Sequence, residues 1–158
     1  MKIVVCIKQV PDTTEVKLDP KTGTLIRDGI PSIINPDDKG GLEYALQLKE
    51  EYGAEVTVIT MGPPQAEAVL REAFAMGADR AILLTSRKFA GADTLATSNA
   101  LAGALRVLDF DLVLAGRQAI DGDTAQVGPQ VAEKLSLPQV TYAEELIDIN
   151  DTEITIKR

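Results

Sequence analysis

Histidine and tryptophan are absent from this chain of 158 residues, and cysteine occurs once. Without histidine, the commonest general base and the commonest transition-metal ligand are both gone. With a single thiol, Cys6, neither an internal disulfide nor a Cys-based zinc site can form, which points to a reducing compartment. Positive charge is scarce: 16 Lys and Arg stand against 24 Asp and Glu, a net charge of −8. No Lys/Arg cluster appears, which disfavours nucleic acid and anionic membranes as partners. Long apolar runs are missing as well; nothing approaches the roughly 20 residues that span a bilayer. The apolar part of "MKIVVCIKQVPD" is too short for a signal peptide and stops at Pro11. The expectation is a cytoplasmic protein with no membrane insertion.

What remains is enough for a core. Residues of the apolar class make up 45% of the chain, and the length suits one nucleotide-binding domain over 1–158. Continuous apolar runs at Ile3–Ile7, Val56–Thr60, Ala81–Thr85 and Leu112–Ala115 read as strands covered on both faces, with Val140–Tyr142 as a fifth. Helical periodicity fills the gaps. Over 37–52, Leu42, Ala45, Leu46 and Lys49 share a face. Over 65–76, Ala66, Val69, Leu70, Ala73 and Phe74 point inward, and Gly77 ends the helix. Over 93–108, Leu101, Ala104, Leu105 and Leu108 recur. Alternating strands and helices predict an α/β fold: an open, mostly parallel sheet with helices on both faces.

Two hairpins protrude from that pattern. One spans 16–26 around Pro-Lys-Thr-Gly. The other spans 146–157, where Ile147 and Ile149, then Ile154 and Ile156, alternate across Asn150-Asp151. The second is marginal without a neighbour to pack on, so the expectation is a truncated chain or a partner that completes this region.

In such a sheet, ligands bind beyond the carboxyl ends of the strands. The segments after the strands are the unusual ones: Lys8–Asp12, Met61–Pro64, Thr85–Ala100 and "AGRQAIDGDTAQVGPQ", Ala115–Gln130. In the last, Gly116, Gly122 and Gly128 allow φ > 0 and close approach of a ligand. Asp123 or Thr124 can cap a helix whose free N–H groups attract phosphate; a start at Pro129 with Gly128 as cap is the other option. Arg117 supplies the nearby fixed positive charge. Beside a phosphate, Asp121 and Asp123 would be repelled, so they are expected to hold the turn or bond a ribose hydroxyl. A second cradle is expected at 91–97, with Asp93 as helix cap and Thr94 and Thr97 on one face; plain capping and packing explains these two threonines equally well. Cys6 reads as a small core residue, Met61 as core filler at a strand end, and Asp12, Glu15, Asp37 and Asp38 as solvated carboxylates. The P-loop and Rossmann fingerprints are absent. No side chain stands out as a catalytic base or nucleophile, so a cofactor would have to carry any chemistry.

The stretches "KIVVCIKQVPDTTEVKLDPKTGTLIRDGIPSIINPDD", "AMGADRAILLT" and "LAGRQAIDGDTAQVGPQVAE" closely resemble the β subunit of electron-transfer flavoproteins. The resemblance implies a fold related to adenine-nucleotide α-hydrolases and universal stress proteins. It implies a heterodimer with an α subunit carrying an electron-transferring FAD, and service to an acyl-CoA-type dehydrogenase or similar redox partner. In ordinary members the β subunit binds AMP; in flavin-bifurcating members it binds a second FAD, which meets NADH. Here Cys6 matches the backbone contact to adenine, Asn35 a position near the nucleotide, and Met61 the residue before Gly-Pro at the second strand end. The run Gly116, Arg117, Asp121, Gly122, Asp123, Thr124, Ala125, Gln126, Val127, Gly128 and Pro129 matches the phosphate loop and helix start. "ADTLAT", with Thr94 and Thr97, and "DGDTAQVGP" resemble the bifurcating members, which favours FAD over AMP. A standalone stress-protein-like module would carry G-x-x-G-x9-G-[ST], and the glycines here are spaced differently. Family β subunits also continue beyond this length, through a C-terminal arm that embraces the partner.

Overall fold

A computed structural model describes residues 1–12, 19–21, 31–150 and 152–158. Four parallel strands form the central sheet: β1 (Lys2–Cys6), β4 (Glu55–Met61), β5 (Arg80–Leu84) and β6 (Leu112–Ala115), in the order β5-β4-β1-β6. Between β1 and β4 lie β2 (Gln9–Pro11), β3 (Ser32–Ile34) and α1 (Pro36–Tyr52). α2 (Glu67–Met76) joins β4 to β5, α3 (Thr94–Leu105) joins β5 to β6, and α4 (Val127–Leu135) follows β6. β7 (Glu145–Ile149) and β8 (Ile154–Lys157) close the chain as an antiparallel hairpin.

Alternation along β1 decides the layers. Ile3, Val5 and Ile7 face one side with Val56 and Val58 and pack under α1 and α2, on Leu42, Ala45, Leu48, Val69 and Ala73. Val4 faces the other side with Ile59 and packs under α3 and α4, on Leu101, Leu105 and Val131. Both faces of the sheet are covered, which is why its strands are apolar without a break. Gly53 and Gly77 end α1 and α2 with positive φ, 66° and 125°, a conformation that costs little without a Cβ.

Three expectations need correcting. Val140–Tyr142 is not a strand: Tyr142 is 61% exposed with φ of 56°, so β6 stays at the sheet's edge. Phe74 has the helical spacing of a core residue but is 49% exposed, because α2 lies over the edge strand β5 and, among the described residues, nothing covers its outer flank. The even alternation of Ile147 and Ile149 is interrupted by a bulge between Leu146 and Asp148. Leu146 and Ile149 therefore pack on the α1 side of the core while Ile147 points out. Tyr44 of α1 holds the hairpin there, its hydroxyl oxygen accepting from Leu146 N at 2.8 Å. The Asn150 carboxamide shapes the β7–β8 turn, accepting from Thr152 N and Glu153 N. The other expected hairpin, over 16–26, falls largely outside the described residues, as does Glu15.

Candidate functional site

β1 leads one way across the sheet to β4 and β5; the chain then returns to place β6 on β1's other side, Cys6 opposite Ala115. The topological switch point is thus at the carboxyl ends of β1 and β6, where open α/β sheets bind ligands. Asp38 sits between these two strand ends. It sits in the first turn of α1, which Pro36 starts, and is 8% exposed. Its Oδ2 accepts from Lys8 N at 2.9 Å and its Oδ1 from Gly116 N at 3.1 Å. The carboxylate therefore bridges the two strands where their direct pairing stops. Burial pushes its pKa up to about 7, against the lowering effect of the Lys8 N–H, the Asn35 side chain and the Gly116 N–H; the Asp37 charge raises it further. The solvated carboxylate expected at 38 is instead a structural clamp. Gly116 is what lets it close: a Cβ there would run into Asp38 Oδ1 and come within 2.7 Å of the Asp38 backbone nitrogen.

The loop that follows is braced at four points. Asn35, 0% exposed, donates through Nδ2 to Gln118 O at 2.8 Å and accepts at Oδ1 from Ile120 N at 3.0 Å. Lys8 Nζ meets Asp121 Oδ1 at 2.6 Å, and the Asp121 side chain is only 4% exposed. Gln118 Nε2 donates to Asp123 Oδ1 at 2.9 Å. Arg117 Nε faces Asp37 Oδ2 at 3.6 Å, both well exposed. Asp121 and Asp123 thus hold the turn. The expected φ > 0 is not at Gly116, Gly122 or Gly128 but at Asp123 (49°) and Ala125 (52°). Such values cost a residue with a Cβ about 1–2 kcal/mol, which the bracing must offset.

Two helix N-termini meet beside this loop. Asp93 caps α3, its Oδ1 accepting from Ala96 N at 2.8 Å. Thr97 stands one turn in, its N–H bonded to Asp93 O. α4 begins at Val127, with Gln126 in the cap position and no side-chain cap bond. Neither Asp123 or Thr124 nor Gly128 caps it, and Pro129, in the first turn, removes an N–H that has no helical partner anyway. Thr94 Oγ1 donates to Gln126 Oε1 at 2.9 Å; Gln130 Nε2 reaches Thr94 Oγ1 at 3.4 Å, and the buried Ser98 hydroxyl supports Gln130 Oε1 at 2.9 Å. Among the described residues, the backbone N–H groups of Thr94, Leu95 and 124–128 donate to no protein acceptor. Uncapped amides in the first turn of a helix favour an anion. Joined through Thr94 and Gln126, the two ends offer the free amides of both helices side by side.

The remaining expected residues are peripheral to this cluster. Cys6 faces the α3/α4 side of the sheet; burial, then the Asp38 charge, push its thiol up to about 12, so it stays protonated and unreactive. Met61, at the carboxyl end of β4, packs against the same core. Among the expected residues, the structure gathers Asn35, Thr94 and 116–129 along one rim, with Thr97 a turn behind. Lys8, Gln118 and Gln130 lie in segments expected at this rim and Asp38 beside one, but none of the four was singled out as a site residue. Their pairings span 30 to 113 residues for Lys8 and Asp38, beyond any local pattern; Gln130, one turn after Gln126, was open to a helical-spacing argument.

The electron transfer flavoprotein domain family matches residues 22–158. An electron transfer flavoprotein subunit beta of Clostridium acetobutylicum is 66% identical, over 96% of this chain and 59% of its own length. The protein of the same description from Thermoanaerobacterium thermosaccharolyticum is 61% identical, over 100% of this chain and 60% of its own. Subunit CarD of a caffeyl-CoA reductase-Etf complex, from Acetobacterium woodii, is 62% identical, over 100% and 61%. The chain therefore spans about three fifths of the length of the curated relatives it matches.

Proposed function

This chain belongs to the electron transfer flavoprotein family, on the side of its β subunits, and from that membership we propose that its crevice holds the FAD of a flavin-bifurcating electron carrier. The observation that carries the reading is the junction of α3 and α4. Thr94 and Gln126 join two sets of free N–H groups, and FAD has two linked phosphates where AMP has one. The first turns of α3 and α4 hold the diphosphate, and the 120s loop, braced by Asn35, Gln118 and Lys8, holds the nucleoside. When bound, FAD supplies hydride acceptance and single-electron transfer. The protein's part is to orient it and to fix the charge around it. No side chain in the crevice has to act as a base or nucleophile for that, in keeping with a cysteine held protonated.

The full-length protein works in the cytoplasm as a heterodimer with an α subunit carrying another FAD. Electrons enter from NADH and leave toward a partner of the acyl-CoA dehydrogenase class. The name of the Acetobacterium relative, which places that protein in a caffeyl-CoA reductase-Etf complex, supports this direction. The test is the spectrum and mass of whatever leaves the denatured full-length heterodimer. Two FAD per heterodimer is the expected result; one FAD and one AMP would replace this reading with that of a non-bifurcating carrier.

A further inference from the structure

Asp38 is a buried carboxylate at the base of a crevice assigned to an anion, and bracing alone does not require a charge there. Its two acceptor bonds go to Lys8 N, two residues past β1, and Gly116 N, the first residue past β6, where the two strands no longer pair with each other. The second of these opens the loop that ends in the free amides of 124–128. Building on the nucleotide reading above, we propose that Asp38 is the positioning residue of that site, setting the spacing of β1 and β6 under the ligand, and that it takes up a proton when the diphosphate is seated.

The surrounding charges make this specific. On its own helix, Asp37 adds negative charge but is paired outward with Arg117. On β1, Cys6 is held neutral, and beyond it the Lys8 ammonium is engaged by Asp121. Asn35 is neutral; its amide braces the loop and also supports the Asp38 carboxylate, which it stabilises without adding charge. Among the described residues, no cation therefore faces the Asp38 carboxylate directly. Burial already raises its pKa to about 7. A diphosphate seated on the loop that Gly116 opens would add negative charge, which moves a buried carboxyl further toward its neutral form. The diphosphate of FAD is esterified at both ends and keeps its charge across this range, so it does not titrate itself.

The experiment is calorimetric titration of the full-length, flavin-stripped protein with FAD, in buffers of different ionisation enthalpy. Wild-type affinity is expected to fall about tenfold from about pH 6 to about pH 8, with uptake of roughly 0.3–0.5 proton per FAD near neutrality. D38N, which carries no charge, is expected to bind without that slope. Asp38→Ala, which offers Lys8 N and Gly116 N no acceptor, is expected to bind more weakly than D38N at every pH. Wild-type binding without pH dependence or proton uptake overturns the proposal, and so does a slope that survives in D38N. The wild-type proton count needs no variant to fold. Absence of FAD binding at any pH overturns the nucleotide reading itself, and this proposal with it.

Discussion

Thr94 Oγ1 lies 2.9 Å from Gln126 Oε1, so the starts of α3 and α4, 32 residues apart in sequence, form one polar junction. Thr94→Val removes the hydroxyl and keeps the shape. FAD affinity of the full-length protein is expected to drop about ten- to a hundredfold, the range for a lost hydrogen bond to a charged group. The melting temperature should barely move, since Thr94 is half-exposed. Fluorescence titration with FAD, alongside thermal unfolding, checks both.

Gly116→Ala puts a Cβ against Asp38 and the backbone of the first turn of α1. Overpacking of this kind costs about 1–3 kcal/mol. Gly122→Ala meets nothing within 4 Å and no positive φ, so its effect should stay within about 0.5 kcal/mol. Urea unfolding of the two variants gives the comparison.

Ala125→Gly relieves the positive φ at that position. Up to about 1 kcal/mol of stabilisation is expected, after part of the relief is offset by the freer unfolded chain. FAD affinity should fall at the same time, because the loop that presents 124–128 becomes less fixed before binding. Gains in both stability and affinity would contradict this account of the strain.

Asp121→Asn keeps an oxygen for Lys8 but removes the charge from a side chain that is almost fully covered. Loop order and FAD affinity should both decline, the affinity by about tenfold. Unchanged hydrogen exchange over 117–125 together with unchanged affinity would show that Asp121 does not hold the turn.

The pH dependence of stability carries the mark of Asp38. Its folded pKa, about 7, lies above the ordinary carboxylate value of 3.8. Its favourable contribution is complete below about pH 4 and is lost as pH rises to about 7, by an amount on the order of 4 kcal/mol. Asp79 runs the other way: the Lys49 side-chain hydrogen bond and the Val56 N–H lower its pKa, so its contribution is present at neutral pH and lost below about pH 4. Denaturant melts of Asp38→Asn should therefore lose the slope between about pH 4 and pH 7 and keep the acid limb.

The parallel sheet was legible because its strands are buried on both sides: Ile3–Ile7 and Val56–Thr60 could hardly be anything else. The family was legible from "LAGRQAIDGDTAQVGPQVAE", and most of the residues the resemblance singled out lie along one rim. Asp38 was not legible. Among exposed-looking acids nothing distinguished it from Asp37 next to it; what buries it is the arrival of Gly116, 78 residues later. Loop conformation was misplaced for a related reason. Glycines mark where positive φ is cheap, whereas Asp123 and Ala125 adopt it because Gln118 and Asn35 anchor the neighbouring chain. Phe74 and Val140–Tyr142 failed at the sheet's margins, where period and β-propensity describe a strand or helix but not whether anything lies alongside it.

The crevice is walled by the strand nearest the beginning of the chain and by the last strand to join the sheet, β1 and β6. A change that unpairs β6 from β1 therefore costs the site a wall without touching the pairing of β1 with β4 or of β4 with β5. The same change also loosens the loop that carries the free amides of 124–128 onto α4.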